Sequence, residues 1–212
     1  MNPNIEHFIK ALNELDKETC VSIVDTWMKE GTSVTTLYED VFVKALSLLS
    51  DVEEDPTHKI WFEHTQSSII RTLIEMVHPY VLSQRKSTLN LKAAVICPDQ
   101  EQHELGARMI NDYLVLNGLT SFFVGRDTPR KEFVDMIQTL GLDVVAISVT
   151  NYYHLSEVKK TIDLINANVN DVTLLLGGRA ILNNPGHFKD IPNVVELNSS
   201  QALFHWIEGQ TV

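Results

Sequence analysis

Phosphate-binding glycine loops are missing from this chain of 212 residues. It contains no G-x-G-x-x-G and no G-x-x-x-x-G-K-[ST], so the usual cradle for a nucleotide phosphate at a helix N-terminus is absent. Cysteine is scarce as well. Cys20 and Cys97 stand far apart and follow no metal-ligand spacing. They read as small buried apolar residues of a reducing compartment, with the cytoplasm as the expected address. Basic residues are outnumbered, 17 Lys and Arg against 28 Asp and Glu, for a formal net charge of −11. That balance argues against an electrostatic grip on DNA, RNA or an anionic membrane. No apolar run reaches the ~18–20 residues that a membrane span needs. The opening stretch "MNPNIEHFIKALNELDKE" has acids where a secretory leader carries a basic segment, so it does not read as a signal peptide. What remains is an ordinary globular composition, 44% hydrophobic and 21% charged.

Two patterns divide the chain. In residues 1–86 apolar residues recur every three or four positions, in "IEHFIKALNEL", "CVSIVDTWM", "LYEDVFVKALSLL" and "IWFEHTQSSIIRTLIEMVHPYVL". This is the period of amphipathic helices, and it predicts a four-helix bundle cap. Breaks fall at Asp16, at "EGTS" and at "EEDPTH", where Pro56 suits a first helical turn. "SQRKSTLN" is polar and aperiodic, and residues 87–92 are expected to link the halves. From residue 93 to 212 solid apolar strands alternate with helices. Strands are predicted at "LKAAVIC", "TSFFVG", "DVVAISV", "DVTLLLG" and "NVVEL", with helices near 104–117, 129–140, 155–167 and 199–208. Thr128 with Pro129 is the expected start of the second of these, and Gly118 and Gly141 mark helix ends. The fold class is therefore α/β: a flavodoxin-like five-stranded parallel sheet preceded by the helical cap, with strands one, three and four side by side if the order is the flavodoxin-like 2-1-3-4-5.

Ligands of such sheets bind beyond the carboxyl ends of the strands. Three features fall there: "EQHELG" with Glu101, His103 and Gly106 after the first strand, "SVT" (Ser148 to Thr150) after the third, and Gly177–Gly178 after the fourth. Each alone has an ordinary explanation: a solvated histidine, a turn-capping serine, a tight turn. A zinc site is not expected, because no second or third His or Cys accompanies His103. Taken together they allow a neutral imidazole to bind a metal through one nitrogen while the other donates to Glu101. Ser148 is placed to bond that carboxylate in turn, and the glycines leave room for a long ligand passing close to the backbone.

The spacing carries a resemblance. The C-terminal half resembles the cobalamin-binding domain shared by methionine synthase, corrinoid methyl carriers, mutases and cobalamin-dependent light sensors. That family has [DE]-x-H-x-x-G, then about 41 residues, S-x-L, some 26 to 28 residues, and GG. Here E101-Q-H103-E-L-G106 is followed by 41 residues to Ser148, and 26 residues separate Thr150 from Gly177. The resemblance implies His103 as lower axial ligand of a cobalamin bound base-off, steadied by Glu101. It also implies that the benzimidazole tail runs past Ser148 and Thr150 to Gly177 and Gly178. Two departures are Glu101 in place of the carriers' Asp and Thr150 in place of Leu.

The N-terminal half resembles the helical cap that accompanies this domain. Glu63–His64 matches a pair in a later cap helix, and Trp61, Glu63 and His64 are implied to lie over the cofactor's upper face. The light-sensing branch carries a tryptophan with nine residues between it and that pair; here the position is Glu53. Tyr152 and Tyr153 follow "SVT" at the rim of the crevice, while His58, His78, His154, His187 and His205 receive no role.

The functional expectation is a cobalamin-based sensor or regulatory module, with a light response as in the photoreceptors, loaded with adenosylcobalamin or methylcobalamin. The alternative is a corrinoid methyl carrier serving methyltransferases; a third reading is a storage module. Catalysis by this chain alone is not expected, since mutases need a substrate barrel that 212 residues cannot include. The expected partners are cobalamin and either another protein or a second copy, with neither nucleic acid nor membrane.

Overall fold

A computed structural model of the chain describes residues 5–51 and 59–210, without the side chains of residues 49–51. Glu53, Pro56 and His58 lie outside the described residues. The chain divides into two compact units, residues 1–84 and 85–212.

The first unit is helical: α1 (Ile5–Asn13), α2 (Lys17–Lys29), α3 (Val34–Leu37), a π-helical turn (Tyr38–Phe42), α4 (Val43–Asp51) and α5 (Ile60–Ser83). Asp16 ends the first run by capping the next, its carboxylate accepting from the Thr19 amide, and Ser33 does the same for Thr36. The run from Val34 to Asp51 is continuous but widens into a π turn in the middle, which periodicity alone does not signal. Phe8 of α1 packs on Phe42 at 6.0 Å between ring centres, and Phe42 stacks on Tyr38 at 5.6 Å. All three are completely buried and form the centre of this unit's core.

The second unit is a parallel sheet in the order β2-β1-β3-β4-β5. Its strands are β1 (Lys92–Ile96), β2 (Thr120–Gly125), β3 (Val144–Ser148), β4 (Thr173–Gly177) and β5 (Val194–Glu196). The helices are α6 (Leu105–Leu116), α7 (Glu132–Leu140), α8 (Leu155–Asn168), α9 (Arg179–Leu182) and α10 (Ser200–Glu208), with a 3-10 turn at Tyr152–His154. The central strands β1 and β3 are apolar but for Lys92 and Ser148 at their ends, because helices cover both faces: every residue of β3 is buried, and four of the five in β1. Register keeps the carboxyl ends level. Ile96 pairs with Ile147, and Ser148 with Gly177.

Residues 85–90 are tied to this unit. The Arg85 guanidinium donates to the Gly118 and Leu119 carbonyls, and the Lys86 and Leu89 amides bond the Leu116 and Gly118 carbonyls. The segment lacks periodicity because its bonds go to the end of α6 instead of into a helix or sheet of its own. One boundary differs from expectation. Thr128 and Pro129 do not open α7, which starts at Glu132; the Glu132 and Phe133 amides bond back three residues, to Pro129 and Arg130, in a tight turn that follows left-handed Asp127. No helix among the described residues is long and apolar enough to cross a membrane.

Candidate functional site

The β1–α6 loop folds back on itself to bury an acid. Gln100 adopts a left-handed φ of +71°, and the Glu101 amide bonds the Pro98 carbonyl at 3.1 Å. This turn carries the Glu101 side chain inward until none of it is exposed. A buried carboxylate is tolerable only when its lone pairs are filled, and here they are. Oε1 accepts from the His103 amide at 2.9 Å and contacts His103 Nδ1 at 2.6 Å. Oε2 accepts from the Thr150 and Asn151 amides at 2.8 and 2.9 Å. His154 Nδ1 lies a further 3.4 Å from the same oxygen.

Burial alone would push this carboxyl's pKa up. The bond from the His103 side chain, with the Asn151, His103 and Thr150 amides, outweighs it and holds the value at about 2. At neutral pH Glu101 is therefore an acceptor only, so Nδ1 of His103 must be the donor. In the neutral imidazole this places the lone pair on Nε2, in a side chain that is 47% exposed. An imidazole oriented through Nδ1 by a carboxylate is an arrangement that could offer its other nitrogen to a metal.

The other polar residues of "PDQEQHELG" have structural partners. Asp99 meets Arg130 at 2.7 Å, and Arg130 also holds Glu157 of α8. Glu104 meets Arg108 at 3.3 Å, and Gln102 bonds Asp127 at 3.1 Å and accepts from Arg126. The loop is thus pinned to α8 and to the β2–α7 turn while presenting the His103 ring.

Toward the carboxyl ends of β1, β3 and β4 lies a cavity of about 240 Å³. Its lining includes Val95 of β1, Ser148 of β3, Gly177 and Gly178 at the end of β4, Leu182 and Leu203. Ser148 does not bond Glu101 as expected; among the described residues its hydroxyl has no hydrogen-bond partner, and the amides of Thr150 and Asn151 take that role. Thr150 contributes its amide and is not among the residues lining the cavity. Gly178 has a left-handed φ of +100°, and a Cβ there would meet the Val149 carbonyl oxygen at 2.3 Å, so the fold itself demands glycine. Gly177 differs: an added Cβ would come no nearer than 4.0 Å, to the Leu197 oxygen. Gly106, in the first turn of α6, has nothing within 4 Å of a notional Cβ. No group of three His, Cys, Asp or Glu converges among the described residues. A single imidazole donor suits a metal whose remaining ligands come from the cofactor that carries it.

Residues 91–188 match the family model described as the B12 binding domain. They form a B12-binding domain. The rest of the comparison concerns the fold. The chain superposes on the monomethylamine corrinoid protein of Methanosarcina barkeri with a TM-score of 0.82 at 14% identity, covering 95% of this chain and 96% of that one. A cobalamin-binding protein from Desulfitobacterium hafniense aligns over 99% of both chains at 16% identity and a TM-score of 0.52. The methanol:cobalamin methyltransferase complex of M. barkeri aligns at 16% identity and 0.51, covering 97% of this chain and 80% of that one. No curated protein matches the sequence.

Trp61, Glu63 and His64 lie in the first turns of α5, in the helical unit, with Trp61 and His64 exposed and Glu63 half-buried. The structure brings Glu101, His103, Thr150, Ser148, Gly177 and Gly178 to one end of the B12-binding domain. Sequence reasoning missed His154 and Asn151. Asn151 had a local signal, since its side chain accepts from the Tyr153 amide at the head of a turn, as such residues do. His154 had none.

Proposed function

We propose that this protein is a corrinoid methyl carrier: it binds cobalamin in the B12-binding domain and presents it to methyltransferase partners. The observation that carries the reading is the Glu101–His103 pair at 2.6 Å in the loop after β1, with Nε2 of His103 as the proposed ligand nitrogen. His103 is the proposed lower axial ligand. Glu101 holds the Nδ1 proton and keeps the ring from turning. The cavity beside Ser148 and Gly177 takes the tail, with the Ser148 hydroxyl available to donate to it. When bound, cobalamin supplies a cobalt centre able to accept and yield a methyl group.

The carrier reading stands ahead of the sensor reading because likeness to the monomethylamine corrinoid protein extends over nearly the whole of both chains. The methanol:cobalamin methyltransferase complex supports a methyltransferase as the kind of partner. No observation favours a light response.

The test uses the full chain loaded with hydroxocobalamin and reduced to its paramagnetic form. With histidine labelled in nitrogen-15, the superhyperfine splitting from the axial nitrogen should change from a triplet to a doublet. In His103→Ala the labelled and unlabelled spectra should be identical. An unchanged label effect in His103→Ala rejects the ligand assignment. The carrier role is tested separately: protein loaded with methylcobalamin should lose its methyl group to a methyltransferase encoded beside its gene, and inertness to all of them rejects that role.

A further inference from the structure

Two large aromatic side chains are left exposed beside the clamp on Glu101. Tyr152 is 60% and Tyr153 83% exposed, with their rings 6.0 Å apart and steeply inclined. Exposed tyrosines in a loop are common, but these two are not held loosely. Asn151 donates its amide to the Glu101 carboxylate and accepts the Tyr153 amide on its side chain at 3.0 Å. The 3-10 turn that follows packs against α9, where Leu182 is 52% exposed and lines the cavity mouth. One carboxylate therefore fixes both His103 and the backbone that carries the tyrosines. On their other side, α9 connects them to the tail cavity.

We propose that Tyr152, Tyr153 and Leu182 form an apolar bed for the rim of the corrin macrocycle, separate from the histidine ligand and the tail cavity. This rests on the cobalamin-binding reading above. A ligand that sits on His103 and sends its tail into the cavity must cross the rim between them. Consecutive Cα atoms are ~3.8 Å apart, so Tyr152 begins one residue from an amide bonded to the carboxylate that holds the imidazole. Aromatic rings gain by covering the edge of such a macrocycle, and a turn already fixed by Glu101 and Asn151 loses little freedom on binding.

The test compares cobalamin with cobinamide, which has the macrocycle but no nucleotide tail. In Tyr152→Ser/Tyr153→Ser the affinity for both should fall by about tenfold or more. In Gly177→Val only the cobalamin affinity should fall. Bound cobinamide should also slow nitration of the two tyrosines in the wild-type protein, a readout that needs no variant. Affinities of the double variant within about twofold of wild type for both ligands overturn the inference. So does unslowed nitration, and so does loss of methyl exchange with a partner at unchanged affinity, which would assign the rings to a protein interface. If the wild-type chain binds neither ligand, it is the cobalamin reading itself that fails.

Discussion

A Cβ added at Gly178 would press on the Val149 carbonyl oxygen in a backbone conformation that L side chains rarely adopt, whereas Gly177 beside it has open space. The same dipeptide therefore serves two masters. Gly178→Ala should destabilise the protein by at least ~2 kcal/mol, from strain at positive φ plus the clash. Gly177→Val should leave the unfolding midpoint near that of wild type while excluding the tail. Urea titrations and cobalamin binding on both variants separate the roles, and a stability loss at Gly177 equal to that at Gly178 would show that neither glycine is there for a ligand. Glu101 makes a second prediction at this scale. Its carboxyl titrates at 4.5 in the unfolded chain and at about 2 when folded. A depressed value means that the carboxylate stabilises the fold fully above the unfolded pKa and ceases to as pH falls through the folded one. The gap amounts to ~3 kcal/mol. The stability difference between wild type and Glu101→Gln should be largest above about pH 5 and shrink steadily toward pH 2. A difference that stays constant across that range would mean that the Glu101 carboxyl has the same pKa in the folded and unfolded chain.

The β1–α6 loop is the element on which the site depends, and α6 begins with a residue that costs it stability. Glycine in a helix is unfavourable by ~0.5–1 kcal/mol relative to alanine, and nothing among the described residues crowds Gly106. Gly106→Ala should raise the thermal midpoint by a few degrees and weaken cobalamin binding. If binding is unaffected, the glycine has no ligand to make room for. The elements themselves were largely legible in the sequence. Five parallel strands followed from solid apolar runs broken by turn residues, because a buried parallel strand cannot hide its composition; their order, 2-1-3-4-5, was supposed from the flavodoxin-like fold class and matches the sheet. The spacing of His103, Ser148 and Gly177 was legible for the same reason, since register brings strand ends level. The grip on Glu101 was not. Backbone amides of Thr150 and Asn151 supply half of it, and an amide is common to every residue but proline. The π turn at Tyr38–Phe42 and the late start of α7 were hidden likewise, for they depend on local geometry that leaves apolar spacing unchanged.

The whole molecule is two compact units, and the Glu101–His103 bond, the Thr150 and Asn151 amides that hold Glu101, and the cavity lining fall within residues 85–212. A ligand that binds only the folded form stabilises whatever must unfold to release it. With cobalamin at a hundred times its dissociation constant that stabilisation is ~2.7 kcal/mol, or about a hundredfold in the population of open forms. Hydrogen exchange reports this population residue by residue. Amides of β1, β3 and β4 are the deepest in the sheet and exchange only through opening of their unit, so they should slow by about that factor when cobalamin is added. Amides buried in α2, around Cys20 and Val24, report the helical unit instead. If the units open separately, these amides should exchange at unchanged rates, and cobalamin should move only one of two thermal transitions. If they slow as much as the sheet amides do, the two units unfold as one cooperative body, and a single transition should shift. Unslowed exchange in the sheet itself, at saturating cobalamin, would place the binding energy outside this domain and contradict the site described for it.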